Sequence, residues 1–208
     1  MIERNTIAII TDGESVQNIR KILRDVDIII AADGGANLCR SQHVIPDYII
    51  GDIDSITLMN KEFFSESKFI EIKDQNHTDL QKALNYALLL NPTEIRVISA
   101  FGKRTDHTLS NILIFQNYNG TIPLKIFDNF GVMSFYTPGE YNLTLQLGQT
   151  VSFFSLSPIK GLSLQGFKYP VVNADYSNNF IGISNAAMSQ NCTIRFQKGK
   201  LISYIITV

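Results

Sequence analysis

Two short acidic segments follow apolar runs in this chain. Ala31-Ala32-Asp33-Gly34-Gly35 comes after Ile28-Ile29-Ile30, and Gly51-Asp52-Ile53-Asp54-Ser55 comes after Tyr48-Ile49-Ile50. An aspartate just past a buried parallel strand stands at the carboxyl edge of its sheet, where open α/β folds bind their ligands. Asp33, Asp52 and Asp54 gathered at one edge repel each other unless a cation lies among them. The chemistry they suggest first is a site for a hard cation such as Mg2+, completed by phosphate oxygens and water. Each also has a structural reading. Asp33 could cap the helix that Gly34 and Gly35 open, and Asp54 or Ser55 could cap a helix near Thr57.

Three further groups can do chemistry. Asp74-Gln75-Asn76-His77-Thr78-Asp79 is a polar loop running into a helix. There Asp79 either joins the acids or simply complements the helix dipole. Gln75 offers a donor and an acceptor suited to a heterocycle edge, while His77 reads as a solvated loop histidine. Gly102-Lys103-Arg104-Thr105-Asp106-His107 combines a glycine, two cations and a helix start, a good cradle for a polyphosphate. Gly182-Ile183-Ser184-Asn185 reads as a turn between strands.

The elements that must carry these groups are legible as two patterns. Over residues 1–128 apolar runs alternate with helical stretches. The runs are Thr6–Ile10, Asp27–Ala31, Asp47–Ile50, Lys68–Ile72, Ile95–Ala100 and Pro123–Phe127. The helical stretches are Ser15–Leu23, Gly35–Ser41, Thr57–Phe64, Asp79–Leu90 and Asp106–Tyr118. That alternation predicts a Rossmann-like parallel sheet with helices on both faces. The clearest helix puts Leu80, Ala83, Leu84, Ala87 and Leu88 on one stripe, and Thr78 with Gln81 forms a capping box at its start. Over residues 129–208 helical spacing disappears and short strands alternate with turns, which predicts a C-terminal β-sandwich. Its last two strands, Cys192–Phe196 and Leu201–Ile206, read as a hairpin around Gln197–Lys200.

Composition narrows the setting. The 208 residues are 45% hydrophobic and 18% charged with net charge −1, so no bulk charge draws the chain to nucleic acid or to an anionic membrane. Cys39 and Cys192 form no CxxC pair, which argues against a zinc ribbon or a disulfide framework. No apolar run approaches the ~20 residues of a membrane span, and the N-terminus carries no leader pattern, so the expected setting is cytoplasmic.

Taken in order, these segments resemble thiamine pyrophosphokinases. The match rests on Ala32-Asp33-Gly34-Gly35, Gly51-Asp52-Ile53-Asp54-Ser55-Ile56, Gln75 with Thr78-Asp79-Leu80, Arg104-Thr105-Asp106-His107 with Asn111, and Gly182-Ile183-Ser184-Asn185. The resemblance implies pyrophosphoryl transfer from ATP to the hydroxyl of thiamine, with Mg2+, in a homodimer whose active site lies between subunits. It implies that Asp33, Asp52, Asp54 and Asp79 hold metal and phosphate. Asp52, Asp54, Asp79 and Arg104 would be the catalytic set, with Asp52 or Asp54 the candidate proton acceptor. Gly34, Gly35, Arg104, Asp106 and Asn111 would join Asp33 in holding the nucleotide. Gln75 would contact the thiamine pyrimidine, and Ser184 and Asn185 would reach thiamine from the partner subunit. Two departures stand out. Ser99-Ala100-Phe101-Gly102-Lys103 keeps one glycine where the family often has more, and the chain has no Trp to pack on thiamine. The rival readings are a pyrophosphokinase for another heterocyclic alcohol, such as a hydroxymethylpterin, and a non-catalytic thiamine or nucleotide sensor.

Overall fold

The computed structural model describes residues 5–52, 62–118 and 121–207. The chain divides into two compact units, Met1–Asn129 and Phe130–Val208.

The first unit is built on six parallel strands: β1 (Thr6–Ile10), β2 (Ile28–Ala32), β3 (Tyr48–Gly51), β4 (Lys68–Glu71), β5 (Glu94–Ile98) and β6 (Leu124–Phe127). They lie in the order β6-β5-β1-β2-β3-β4, every pair parallel. Every residue of β1 is buried, as expected for a central strand covered on both faces. The order reverses direction between β1 and β5, which makes their carboxyl ends the switch point of the sheet.

Four helices of this unit fall within the described residues: α1 (Ile19–Ile22), α2 (Gly35–Ser41), α3 (Asp79–Leu89) and α4 (Thr105–Asn117). The expected helix Ser15–Leu23 shrinks to the single turn of α1. The cause is Asn129, whose amide accepts from the Gln17 N–H and donates to the Ser15 carbonyl, so that stretch is held as a loop. α3 matches the sequence pattern closely. Leu80, Ala83, Leu84 and Ala87 are buried, and Thr78 and Gln81 exchange both bonds of a capping box. Most of the expected helix Thr57–Phe64 lies outside the described residues.

The second unit is an antiparallel sandwich. One sheet runs β12 (Phe180–Ala186), β9 (Thr150–Ser155), β14 (Leu201–Ile206), β7 (Gly131–Tyr136). The other runs β11 (Val171–Tyr176), β10 (Ile159–Gln165), β13 (Asn191–Phe196), β8 (Gly139–Thr144). Val151, Phe153 and Leu201 of the first sheet meet Leu162, Ile194 and Phe196 of the second in one core.

The expected terminal hairpin does not form. β13 pairs with β8 and β10, whereas β14 pairs with β7 and β9 in the opposite sheet. The link between them is pinned by reciprocal backbone bonds between Lys160 and Gln197–Lys198. It turns at Gly199 (φ 101°), where a Cβ would lie 2.5 Å from the Pro158 carbonyl oxygen. Alternating burial shows that each strand has one apolar face, and it leaves open which sheet that face closes on.

Candidate active site

The site begins where strand ends are laced together. The Thr11 hydroxyl donates to the Ser99 carbonyl oxygen at 2.6 Å, and the Gly13 N–H reaches the same oxygen at 2.7 Å. A Cβ on Gly13 would sit 2.0 Å from that oxygen, so only glycine lets the loops after β1 and β5 close this tightly. The Glu14 N–H adds a bond to the Phe101 carbonyl oxygen at 2.7 Å.

The next two strand ends interlock by a related device. Asp33 follows β2 with φ 37°, a left-handed value for a non-glycine residue. Its N–H donates to the Ile50 carbonyl oxygen at 2.7 Å, and its own carbonyl accepts from the Ala36 N–H as α2 begins. Gly34 and Gly35 therefore do not supply the positive φ; they supply space. A Cβ on Gly34 would lie 3.0 Å from the Asp12 Cβ, one on Gly35 would lie 2.1 Å from the Ile10 carbonyl oxygen, and one on Gly51 would lie 2.8 Å from the Asp33 Cβ. Glycines thus let Asp12, Asp33 and the start of the Asp52 segment approach across three neighbouring strands. Gly34 is the N-cap residue of α2 and has no side chain to cap it.

A cavity of about 460 Å³ opens over these ends. Of the residues singled out from sequence, it brings together Asp33, Gly34, Asp79, Arg104 and Asn111 in its wall. Asp52 is half-buried directly after Gly51, at the strand end beside Asp33. Asp54 lies outside the described residues. Gln75 is exposed in the loop after β4, and neither it, Gly35 nor Asp106 lines the cavity. Among the described residues, no three of His, Cys, Asp and Glu converge as a metal cluster, and Asp54, one of the four expected acids, lies outside those residues. Ser184 and Asn185 belong to the second unit.

Arg104 is the N-cap residue of α4, and its guanidinium grips Asp106 twice: Nε to Oδ1 at 3.1 Å and Nη2 to Oδ2 at 2.6 Å. The hydrogen bonds from Arg104 hold the Asp106 carboxyl down at about 2, and Asp106 in turn pushes Arg104 upward. Asp106 is therefore the brace of Arg104 rather than part of the wall. Lys103, at φ 54°, points its ammonium at Asp12 Oδ1, 2.7 Å away. Asn111 donates to the Ala100 carbonyl oxygen at 2.7 Å, which ties α4 to the loop after β5. His77 has a partner that sequence did not reveal, the Asp74 carboxylate, which that bond holds below its ordinary range.

In the second unit, Ser184 sits at φ 54° in a break of register between β12 and β9, exposed, with its N–H on the Ser152 hydroxyl. Asn185 is buried and spends its amide on backbone. It accepts from the Tyr169 and Ala186 N–H groups and donates to the Tyr169 carbonyl oxygen at 2.8 Å. It holds in place the segment that carries Tyr169, an aromatic residue 59% exposed.

The residue that sequence reading missed is Asp12. Its signal was present: Thr11-Asp12-Gly13 ends an apolar run just as Ala32-Asp33-Gly34 does.

Two family profiles match the chain. One, described as thiamin pyrophosphokinase, catalytic domain, covers residues 19–126. The other, thiamin pyrophosphokinase, vitamin B1 binding domain, covers residues 140–201. The chain belongs to the thiamine pyrophosphokinase family. Thiamine pyrophosphokinase of Bacillus subtilis is 31% identical over 180 residues, covering 83% of this chain and 84% of that one. The crystal structure of the Bacillus subtilis thiamine pyrophosphokinase superposes with a TM-score of 0.86 at 28% identity, over 98% of this chain and 99% of that one. The Candida albicans thiamin pyrophosphokinase shares the fold at 19% identity, with a TM-score of 0.85 over 99% and 90% of the two chains. The catalytic-domain match begins at residue 19, so Asp12 lies ahead of it while its partner Lys103 falls within it.

Proposed function

We propose that this protein transfers the pyrophosphoryl group of ATP to the hydroxyl of thiamine, releasing AMP and forming thiamine diphosphate. The observation that carries the reading is the pair of family matches, catalytic and vitamin B1-binding, falling in order on the two units. The cavity at the switch point, with acids and cations in its wall, supplies the chemistry such a transfer needs.

Mg2+ fits the donor set. It takes one or two carboxylates and completes its shell with waters and phosphate oxygens. Asp33 and Asp52, on adjacent strand ends, are the two carboxylates we assign to it. When bound, the ion would offset phosphate charge and help orient the chain of phosphates.

This chain's own residues do the rest. The thiamine hydroxyl oxygen attacks the β-phosphorus; the new O–P bond forms as the bond to the α-phosphate oxygen breaks, AMP departs with its electrons, and the hydroxyl proton passes to solvent water. Arg104 has used two of its five N–H donors on Asp106, and the others remain to meet phosphate oxygens. Lys103 offers a second cation once it leaves Asp12. A carboxylate that holds a metal is a poor base, so alignment and charge neutralisation carry the rate and Asp52 need not act as proton acceptor. On the resemblance, Gln75 and Ser184 contact thiamine directly, the protein is a homodimer and it works in the cytoplasm. Asn185 also fixes the Tyr169 segment through its amide.

The test is product analysis after incubation with ATP, Mg2+ and thiamine. AMP with thiamine diphosphate is the expected pair. ADP in place of AMP, or AMP formed only with a hydroxymethylpterin, overturns the reading.

A further inference from the structure

Lys82 is the one charged residue on the buried face of α3. Its neighbours on that face are Leu80, Ala83, Leu84 and Ala87, and the helix packs on β1, β2 and β3. Its side chain is 5% exposed. Lysine is almost never buried this deeply without a partner, because its ammonium must be stripped of water. The partner is Asp79, with Nζ to Oδ1 at 3.1 Å, and no other acceptor for Lys82 is found among the described residues.

Stability does not account for this arrangement. The start of α3 is already capped by Thr78 and Gln81, so the helix end has no need of Asp79. A pair three residues apart on a helix surface contributes a few tenths of a kcal/mol and needs no buried member. What the arrangement does achieve is directional. Asp79 is 39% exposed and lines the cavity. With Oδ1 held from beneath by Lys82, the carboxylate loses its rotational freedom, and its other oxygen carries no hydrogen bond among the described residues. We infer that Lys82 is a positioning residue of the active site: a buried ammonium that fixes the Asp79 carboxylate at the cavity wall and acts on the reaction only through it.

The inference rests on the proposed transfer reaction, and the test separates the two. Lys82→Met, Asp79→Asn, the double variant and Lys82→Arg are compared in steady-state formation of AMP and thiamine diphosphate, alongside thermal unfolding. Lys82→Met should lower kcat by about tenfold or more, the scale expected when a reacting group loses its alignment. KM should change by less than about twofold. Its melting temperature should equal or exceed that of the unaltered protein, since Met suits the apolar face and Asp79 remains solvated. In the Asp79→Asn background the same change should have no further effect, within about twofold. Lys82→Arg should recover part of the lost kcat. If the two single effects multiply in the double variant, or if kcat loss in Lys82→Met follows loss of folded protein, Lys82 is structural and the inference is overturned. Absence of AMP formation by the unaltered protein overturns the reaction itself; AMP formation with independent effects overturns the role of Lys82 alone.

Discussion

Gly51→Ala is the sharpest probe of how the acids are brought together. Gly51 ends β3 and its φ is not positive, so alanine is not excluded by backbone conformation. It is excluded by space: the added Cβ would lie 2.8 Å from the Asp33 Cβ and 3.3 Å from the Asp33 Cα. Carbon atoms rest at about 3.5–4.0 Å, so Asp33 must retreat by about 1 Å. That retreat is resisted. Asp33 is held at φ 37° by its N–H bond to the Ile50 carbonyl oxygen and by its own carbonyl at the start of α2. Overpacking of this kind costs about 1–3 kcal/mol of stability. A displacement of about 1 Å at a reacting group costs on the order of 10²-fold in rate, or about 2.7 kcal/mol of activation free energy. The expected variant is thus folded, melts several degrees lower, and forms thiamine diphosphate about a hundredfold more slowly. Urea unfolding and a product assay under saturating ATP and Mg2+ measure both quantities. Activity within about threefold of normal, in a variant as stable as the parent, would mean that the Asp33–Gly51 approach has no bearing on the chemistry.

Asp52→Asn should abolish turnover with little change in urea midpoint, and near-normal activity would remove Asp52 from the site. Asn185→Ala strands the part-buried N–H and carbonyl of Tyr169, which should cost about 1 kcal/mol in denaturant unfolding. The same change should raise the KM for thiamine by freeing the Tyr169 segment. Burial pushes the Glu94 carboxyl up, but bonds from Lys125 and Arg96 outweigh it and hold the group below its ordinary range. Its contribution is therefore present at neutral pH and lost as pH falls through that lowered value. Glu94→Gln should destabilise the protein at pH 7 and flatten its acid loss of stability below about pH 4, as read from urea midpoints across that range.

The first unit was legible because two periodicities coincide with burial. Runs such as Ile28–Ile30 are strands covered on both faces, and the stripe from Leu80 to Ala87 is a helix on a sheet. Strand order was not legible, since it depends on which way each crossover turns, and the switch between β1 and β5 follows from nothing local. Asp79 was singled out because it ends a polar loop at the start of a helix, and Asp33 because an acid past an apolar run is a local signal. Asp12 carries the same signal and was missed for want of a second motif beside it. The brace between Arg104 and Asp106 spans only two residues, yet it was not legible because sequence does not reveal which way a side chain turns. The terminal strands failed for a different reason. A four-residue link with one glycine fits a hairpin or a crossing between sheets equally well, and only the backbone bonds to Lys160 select the crossing.

The charge balance of the cavity argues for how the nucleotide must arrive. Both cations in its wall are already paired, Lys103 with Asp12 and Arg104 with Asp106, and Asp33 and Asp79 add further negative charge. A bare triphosphate would therefore meet acids and only the spare donors of Arg104, unless it drew Lys103 off Asp12. Those two side chains are more than half exposed, so their pairing in water is worth only about 0–1 kcal/mol and yields readily to a more highly charged partner. A triphosphate that brings Mg2+ offers Asp33 and Asp52 a cation in place of repulsion, while its terminal oxygens compete for Lys103 and the spare donors of Arg104. For the proposed reaction, the acids at the strand ends would thus favour a metal-bound nucleotide over the free one.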